Sequence, residues 1–218
     1  MTDQARRALF YDDRMRDAVV KLLALKAAWQ VRQLSRGGRR TILFIDEPGL
    51  AGFGSSEFIS VSRDEIVACL QEVIAGVHQE GGLAGIHVCA NTDWSIALDS
   101  DFDIVNFDAY GYFDKFILYG KQIKTFLAAG RILAWGIVPT SNPDDIERET
   151  AISLVDSLEH KIDGVEALGI ARETILKQSL ISPSCGTGSA RPEHARKVLR
   201  LTREVSQHFC RQLHAPGH

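Results

Sequence analysis

The chain has 218 residues, 45% of them hydrophobic and 24% charged, the ordinary balance of a folded protein with one sizeable core. A formal net charge of -3 provides no basic face, which argues against nucleic acid or an anionic membrane as partner. No apolar run approaches the roughly 18 residues of a membrane span, and Met1-Thr2-Asp3-Gln4-Ala5-Arg6-Arg7 has no apolar signal core, so a cytoplasmic location is expected.

In chain order, Met15, Val19, Leu22, Leu23, Ala27, Val31 and Leu34 recur at helical spacing and predict an amphipathic helix over 13–35, stopped by Arg36-Gly37-Gly38. The run Thr41-Ile42-Leu43-Phe44-Ile45, closed by Asp46-Glu47-Pro48, reads as a parallel strand buried on both faces. A glycine-rich loop follows (Gly49, Gly52, Gly54), with Phe53 and Phe58 expected to be exposed. Ser62 and Glu65 form a capping box that opens a helix to about Gln79. The alternation continues with a strand over 84–90, a short helix after Thr92-Asp93, a strand over 104–109 and a helix from about Asp114 to Ala128. A strand over 131–138 precedes a helix from Asn142-Pro143 to about Leu168, with Gly164 as its weak point. A strand over 178–184 leads to a last helix that starts near Pro192 and stripes Val198, Leu201, Val205 and Phe209 on one side.

Four scattered cysteines do not make a disulfide framework, and in a reducing compartment they point to metal, catalysis or packing. Cys69 and Cys210 fall within predicted helices and read as structural. Cys89 and Cys185 read differently. In a strand over 84–90, alternation places His87 and Cys89 on one face, so an imidazole and a thiol stand side by side. The next strand puts Asn106 and Asp108 on one face, and Cys185 ends a third apolar run. Three strand ends therefore offer four donors, His87, Cys89, Asp108 and Cys185, of the kinds that suit a borderline-soft ion such as zinc. Cys185-Gly186-Thr187-Gly188-Ser189 also has the composition of a phosphate-cradling turn, but it lacks the lysine of a P-loop. Trp94, Trp135, Tyr110 and Tyr112 sit near predicted strand ends, where they either line a cleft or pack.

Strands alternating with helices imply right-handed βαβ units and a parallel sheet in a single domain. Polar groups on one strand face and Ile, Val and Phe on the other favour a TIM-type (β/α) barrel over an open doubly wound sheet. Five strands are fewer than a closed barrel of this type has, so roughly the first three strand-helix units are expected to be missing. Such a sheet leaves edges and apolar surface uncovered, and self-association or a partner chain that completes the barrel is expected.

With Ile45-Asp46-Glu47-Pro48, His87-x-Cys89, Asn106-Phe107-Asp108 and Pro183-Ser184-Cys185-Gly186 in this order, the chain resembles the catalytic barrel of cobalamin-independent methionine synthase over about residues 40–190. It is nearest to short methionine-synthase-like proteins within the wider superfamily that includes uroporphyrinogen decarboxylase. The resemblance implies zinc held by His87, Cys89, Asp108 and Cys185, although the long enzyme has glutamate where Asp108 aligns. It also implies that Asp46 contacts the amino group of an amino-acid substrate, while Glu47 is expected to be structural. The implied reaction moves a methyl group from methyltetrahydrofolate or a methylcorrinoid protein to a small thiol, homocysteine above all, with Asp46 and Asp108 in the catalytic set. The competing expectations are a non-catalytic fragment or subunit that keeps the metal site, and a zinc-free decarboxylase-like enzyme.

Overall fold

The computed structural model describes residues 9–52 and 62–214. Phe53, Gly54 and Phe58, singled out above, lie outside the described residues. Five strands, β1 (Ile42–Asp46), β2 (Leu83–Val88), β3 (Ile104–Phe107), β4 (Ile132–Val138) and β5 (Ser179–Pro183), form one all-parallel sheet in the order β1-β2-β3-β4-β5. Because the order never reverses, the sheet has no switch point of the doubly wound kind. Among the described residues β1 and β5 are edges, each paired on one side only.

The helices that connect these strands begin where local chemistry tells them to. Helix α1 (Asp13–Leu34) starts at Asp12, whose carboxylate accepts from the Arg14 and Met15 amides. Helix α2 (Arg63–Gln79) carries the expected capping box of Ser62 and Glu65. Helix α3 (Trp94–Leu98) is capped by Asp93, and α9 (Pro192–His214) begins at the proline, as the sequence predicts.

Three expectations about helices need correction. The helix placed at 114–128 begins at the end of β3, as α4 (Ala109–Phe116), and resumes after a 3-10 turn as α5 (Gly120–Ala128). The early start follows from Asp108, which acts as the N-cap and accepts from the Gly111 amide at 2.8 Å. The helix placed at 142–168 is two helices, α6 (Pro143–Arg148) and α7 (Ala151–Glu166). It breaks at extended Thr150, which caps α7, and not at Gly164. Finally, periodicity missed α8 (Arg172–Lys177), a short helix set off from α7 by Gly169 at φ +85°.

Strand β1 is not buried on both faces. Ile42, Phe44 and Asp46 are exposed, and Leu43 and Ile45 are half-buried. The reason is general to the sheet. Ile86, Val88, Val105, Phe107, Leu133 and Trp135 point to the face that the helices cover, and they join the main core with Phe116, Leu158, Ile162, Val198 and Val205. The opposite face, read across the strand register, carries Phe44, Gly85 and Ile104, then Asp46, His87, Asn106, Ala134 and Leu180 in one row, and Ser182 beyond them toward the carboxyl ends. No helix among the described residues is long and apolar enough to cross a membrane.

Candidate metal centre

The site lies at the carboxyl end of the sheet on its open face. Parallel pairing puts Asp46, His87 and Asn106 side by side on β1, β2 and β3. β2 ends at Val88, so Cys89 stands just beyond the strand and not within it. The segment that follows is pinned, because the Thr92 hydroxyl donates to the Leu50 carbonyl at 2.8 Å. On the far side, the Ser184 amide donates to the Val138 carbonyl at 2.8 Å, and the Ser184 hydroxyl lies 3.1 Å from that of Thr140. Gly136 lets these strands close up, since a Cβ there would sit 2.6 Å from the Phe107 carbonyl oxygen and 2.9 Å from the Ser184 Cα. Together these contacts deliver Cys185 to the rim.

The result is a three-residue cluster. One donor atom each from His87, Cys89 and Cys185 lies within 4.8 Å of the others, and both cysteines are free thiols. The imidazole is engaged on one side only: Nδ1 lies 2.6 Å from the Asn106 side-chain oxygen, while Nε2 is buried and has no hydrogen-bond partner. A buried nitrogen without a partner costs stability unless something else binds it. One imidazole nitrogen and two thiols in reach of one another fit a metal ion that takes nitrogen and sulfur ligands, and they leave coordination positions for a further ligand. This group can hold a metal ion.

Asp108 does not belong to the cluster. Its carboxylate is committed to the start of α4, and burial pushes its pKa above the ordinary carboxylate range, against the pull of the Gly111 and Tyr110 amides, His87 and Lys161. Burial likewise raises the Cys89 thiol, and hydrogen bonding to Cys185 adds to that shift, with the Asp108 charge a smaller contribution. Asp46 is exposed and faces the cleft beside His87. Glu47 accepts from the Gly49 amide at 3.0 Å, a turn-forming role, and burial raises its carboxyl pKa.

The cluster opens into a cleft of about 720 Å³ whose lining includes Asp46, His87, Cys89 and Cys185 at the rim and Phe44, Leu180 and Ile181 as apolar wall. Phe44 lies across Gly85, where a Cβ would be 2.5 Å from the ring. Of the four aromatics left open by the sequence, Trp94 and Trp135 are fully buried in the core, and the Tyr110 hydroxyl donates to Glu149 at 2.9 Å. None of them, nor Tyr112, lines the cleft. Sequence reading missed the roles of Asn106 and Ser182. The available signal was the phase of β3, which puts Asn106 on the face of His87 one strand over. No protein-family model matches the sequence, and no curated protein matches it either.

Proposed function

We propose that the chain is a zinc-dependent methyltransferase of the methionine-synthase type, moving a methyl group to a thiol, homocysteine above all, on a TIM-type (β/α) barrel of which the five strands are a part. The observation that carries this reading is the His87 imidazole, whose buried Nε2 has no hydrogen-bond partner, in one cluster with the thiols of Cys89 and Cys185 at the mouth of an open cleft. Three protein ligands with room for another is the pattern of a catalytic zinc site, not a closed structural one. A zinc ion there would supply the Lewis acidity that lets an acceptor thiol lose its proton near neutral pH.

The chain's own residues then hold the acceptor. Asp46, exposed beside His87, accepts hydrogen bonds from the ammonium of an amino-acid thiol. Phe44, Leu180 and Ile181 offer apolar contact to its carbon skeleton and to the methyl donor, methyltetrahydrofolate or a methylcorrinoid protein. Asp108, capping α4, acts through the helix it fixes and through its charge, and not as a zinc ligand.

Exposed Ile42, Phe44 and Leu180 on the open face and the edges of β1 and β5, unpaired among the described residues, favour one refinement: full activity needs further strands, supplied in cis or by a second chain. The test is metal analysis of the wild type, Cys89→Ser and Cys185→Ser. About one zinc per chain is expected in the wild type, with loss in both variants, and unchanged zinc in both defeats the proposal. In cobalt-substituted protein, homocysteine should alter the sulfur-to-metal absorption, and Asp46→Asn should weaken that response more for an amino-acid thiol than for a plain alkyl thiol.

A further inference from the structure

The hydrogen bonds behind His87 form a chain whose polarity is determined at one end. The Pro183 carbonyl can only accept, so the Ser182 hydroxyl, 3.0 Å away, donates to it. The Ser182 oxygen is then an acceptor for the Asn106 amide nitrogen at 2.8 Å. The same nitrogen donates to the Ala134 carbonyl at 2.9 Å, a second group that can only accept. Both amide hydrogens are thereby used, and the Asn106 side-chain oxygen must face His87 as an acceptor. Its partner at 2.6 Å, Nδ1, must carry a hydrogen. In a neutral imidazole that leaves the lone pair on Nε2, the buried nitrogen without a partner.

We infer that Asn106, oriented by Ser182 and Ala134, is a positioning residue that locks His87 in its Nδ1–H tautomer and so presents the Nε2 lone pair to the metal site before any ion arrives. This rests on the metal reading of the site and deepens it. The relay crosses β2, β3, β4 and β5 and ends at Pro183, two residues from Cys185, so the support of the imidazole is built into the strand that delivers a thiol. Two inward hydrogen bonds also tie the amide down, and with Asn106 8% exposed, water has little access to replace it. Partners of this kind, one bond behind a ligating imidazole, typically carry about 10- to 100-fold in metal affinity.

The experiment has one readout that needs no metal and one that does. Nitrogen-15 spectra of the metal-free, histidine-labelled protein, with His87 identified among the seven histidines by its loss in His87→Gln, report which ring nitrogen is protonated. The wild type should show Nδ1 protonated and Nε2 bare. Asn106→Leu, which has no acceptor, should shift His87 toward the Nε2–H form and weaken zinc binding about 10- to 100-fold in competition with a chromophoric chelator. Asn106→Asp keeps an acceptor for Nδ1–H but has no N–H for Ala134 or Ser182, so it should return His87 to the Nδ1–H form and recover zinc affinity only in part. If Asn106→Leu does not fold, Ser182→Ala removes one orienting bond and should give the same changes on a smaller scale.

An Nε2–H tautomer in the wild type overturns the inference, as does a folded Asn106→Leu with unchanged tautomer and zinc affinity; in the latter case the metal reading survives. An Nδ1–H tautomer lost in Asn106→Leu supports the relay even if no variant binds zinc, and that result would remove the metal reading alone.

Discussion

The two faces of the sheet have opposite chemistry and divide the work of the protein. The covered face stacks Phe107 on Phe116 at 3.9 Å, with Trp94 and Trp135 packed around them, and every one of these rings is fully buried. The open face has small and polar groups where the other has rings, and Phe44 on it is 43% exposed. Apolar burial is the main favourable term in folding and contributes on the order of 25 cal/mol per Å². The covered face therefore holds the fold together, and the open face is free to carry groups that fold stability would not select. His87 shows this most clearly, since its buried Nε2 has no hydrogen-bond partner and is a cost to the fold unless something binds it.

The sharpest break of this contrast is a matched pair of truncations. Phe107→Ala should destabilise by about 3–5 kcal/mol, whereas Phe44→Ala should stay within about 1 kcal/mol, both read by urea unfolding. Comparable losses would show that the open face is also core. Gly136→Ala tests the seam where the faces meet at the rim. The added methyl has no room between β3 and the Ser184 backbone, so a loss of about 1–3 kcal/mol is expected, together with weaker metal binding as the Cys185 segment shifts.

Next in size is association. Besides the open face, α1 exposes Leu22, Leu25 and Trp29 on one stripe, the last at 58%. The chain is expected to self-associate, seen as a concentration-dependent mass in light scattering after size exclusion. Leu25→Glu with Trp29→Glu should reduce association while changing stability by about 0.5 kcal/mol or less per site. A monodisperse monomer with full methyl-transfer activity would remove the need for further strands.

The smallest effect is expected at Asp108. Burial raises its carboxyl pKa, so the folded state binds the proton more tightly than the unfolded one. The resulting cost is absent below the ordinary carboxylate range and complete above the raised pKa. An asparagine side chain caps a helix as well as an aspartate and carries no such cost. Asp108→Asn should therefore leave zinc content unchanged and alter stability at neutral pH by no more than about 0.5 kcal/mol, in the stabilising direction. Zinc loss in that variant would return Asp108 to the ligand set.

Much of this was legible in the residues because it is local. Short apolar runs and period-two alternation identified all five strands, and Ser62 with Glu65, Asp93 and Pro192 announced their helices, since a cap is a hydrogen bond or a preset φ within a few residues of itself. The two-residue spacing of His87 and Cys89 announced a donor pair on the same principle. Asp108 shows where that reading ends. Its place on the strand face suggested a ligand, whereas in the structure its carboxylate caps α4, because the Gly111 amide is three residues away while the metal cluster has to be assembled from distant strands.

Only the tertiary structure decided the rest. It brought Cys185 to His87 and Cys89 through the order of the sheet and the close approach at Gly136. It turned β1 into an edge with one open face, because helix packing, not hydrophobic content, determines which face is covered. It also oriented Asn106, whose amide could point either way until two carbonyls and a hydroxyl from other strands fixed it. Pairings between residues far apart in the chain depend on strand order and curvature, which arise from the whole core at once, and no local pattern encodes them.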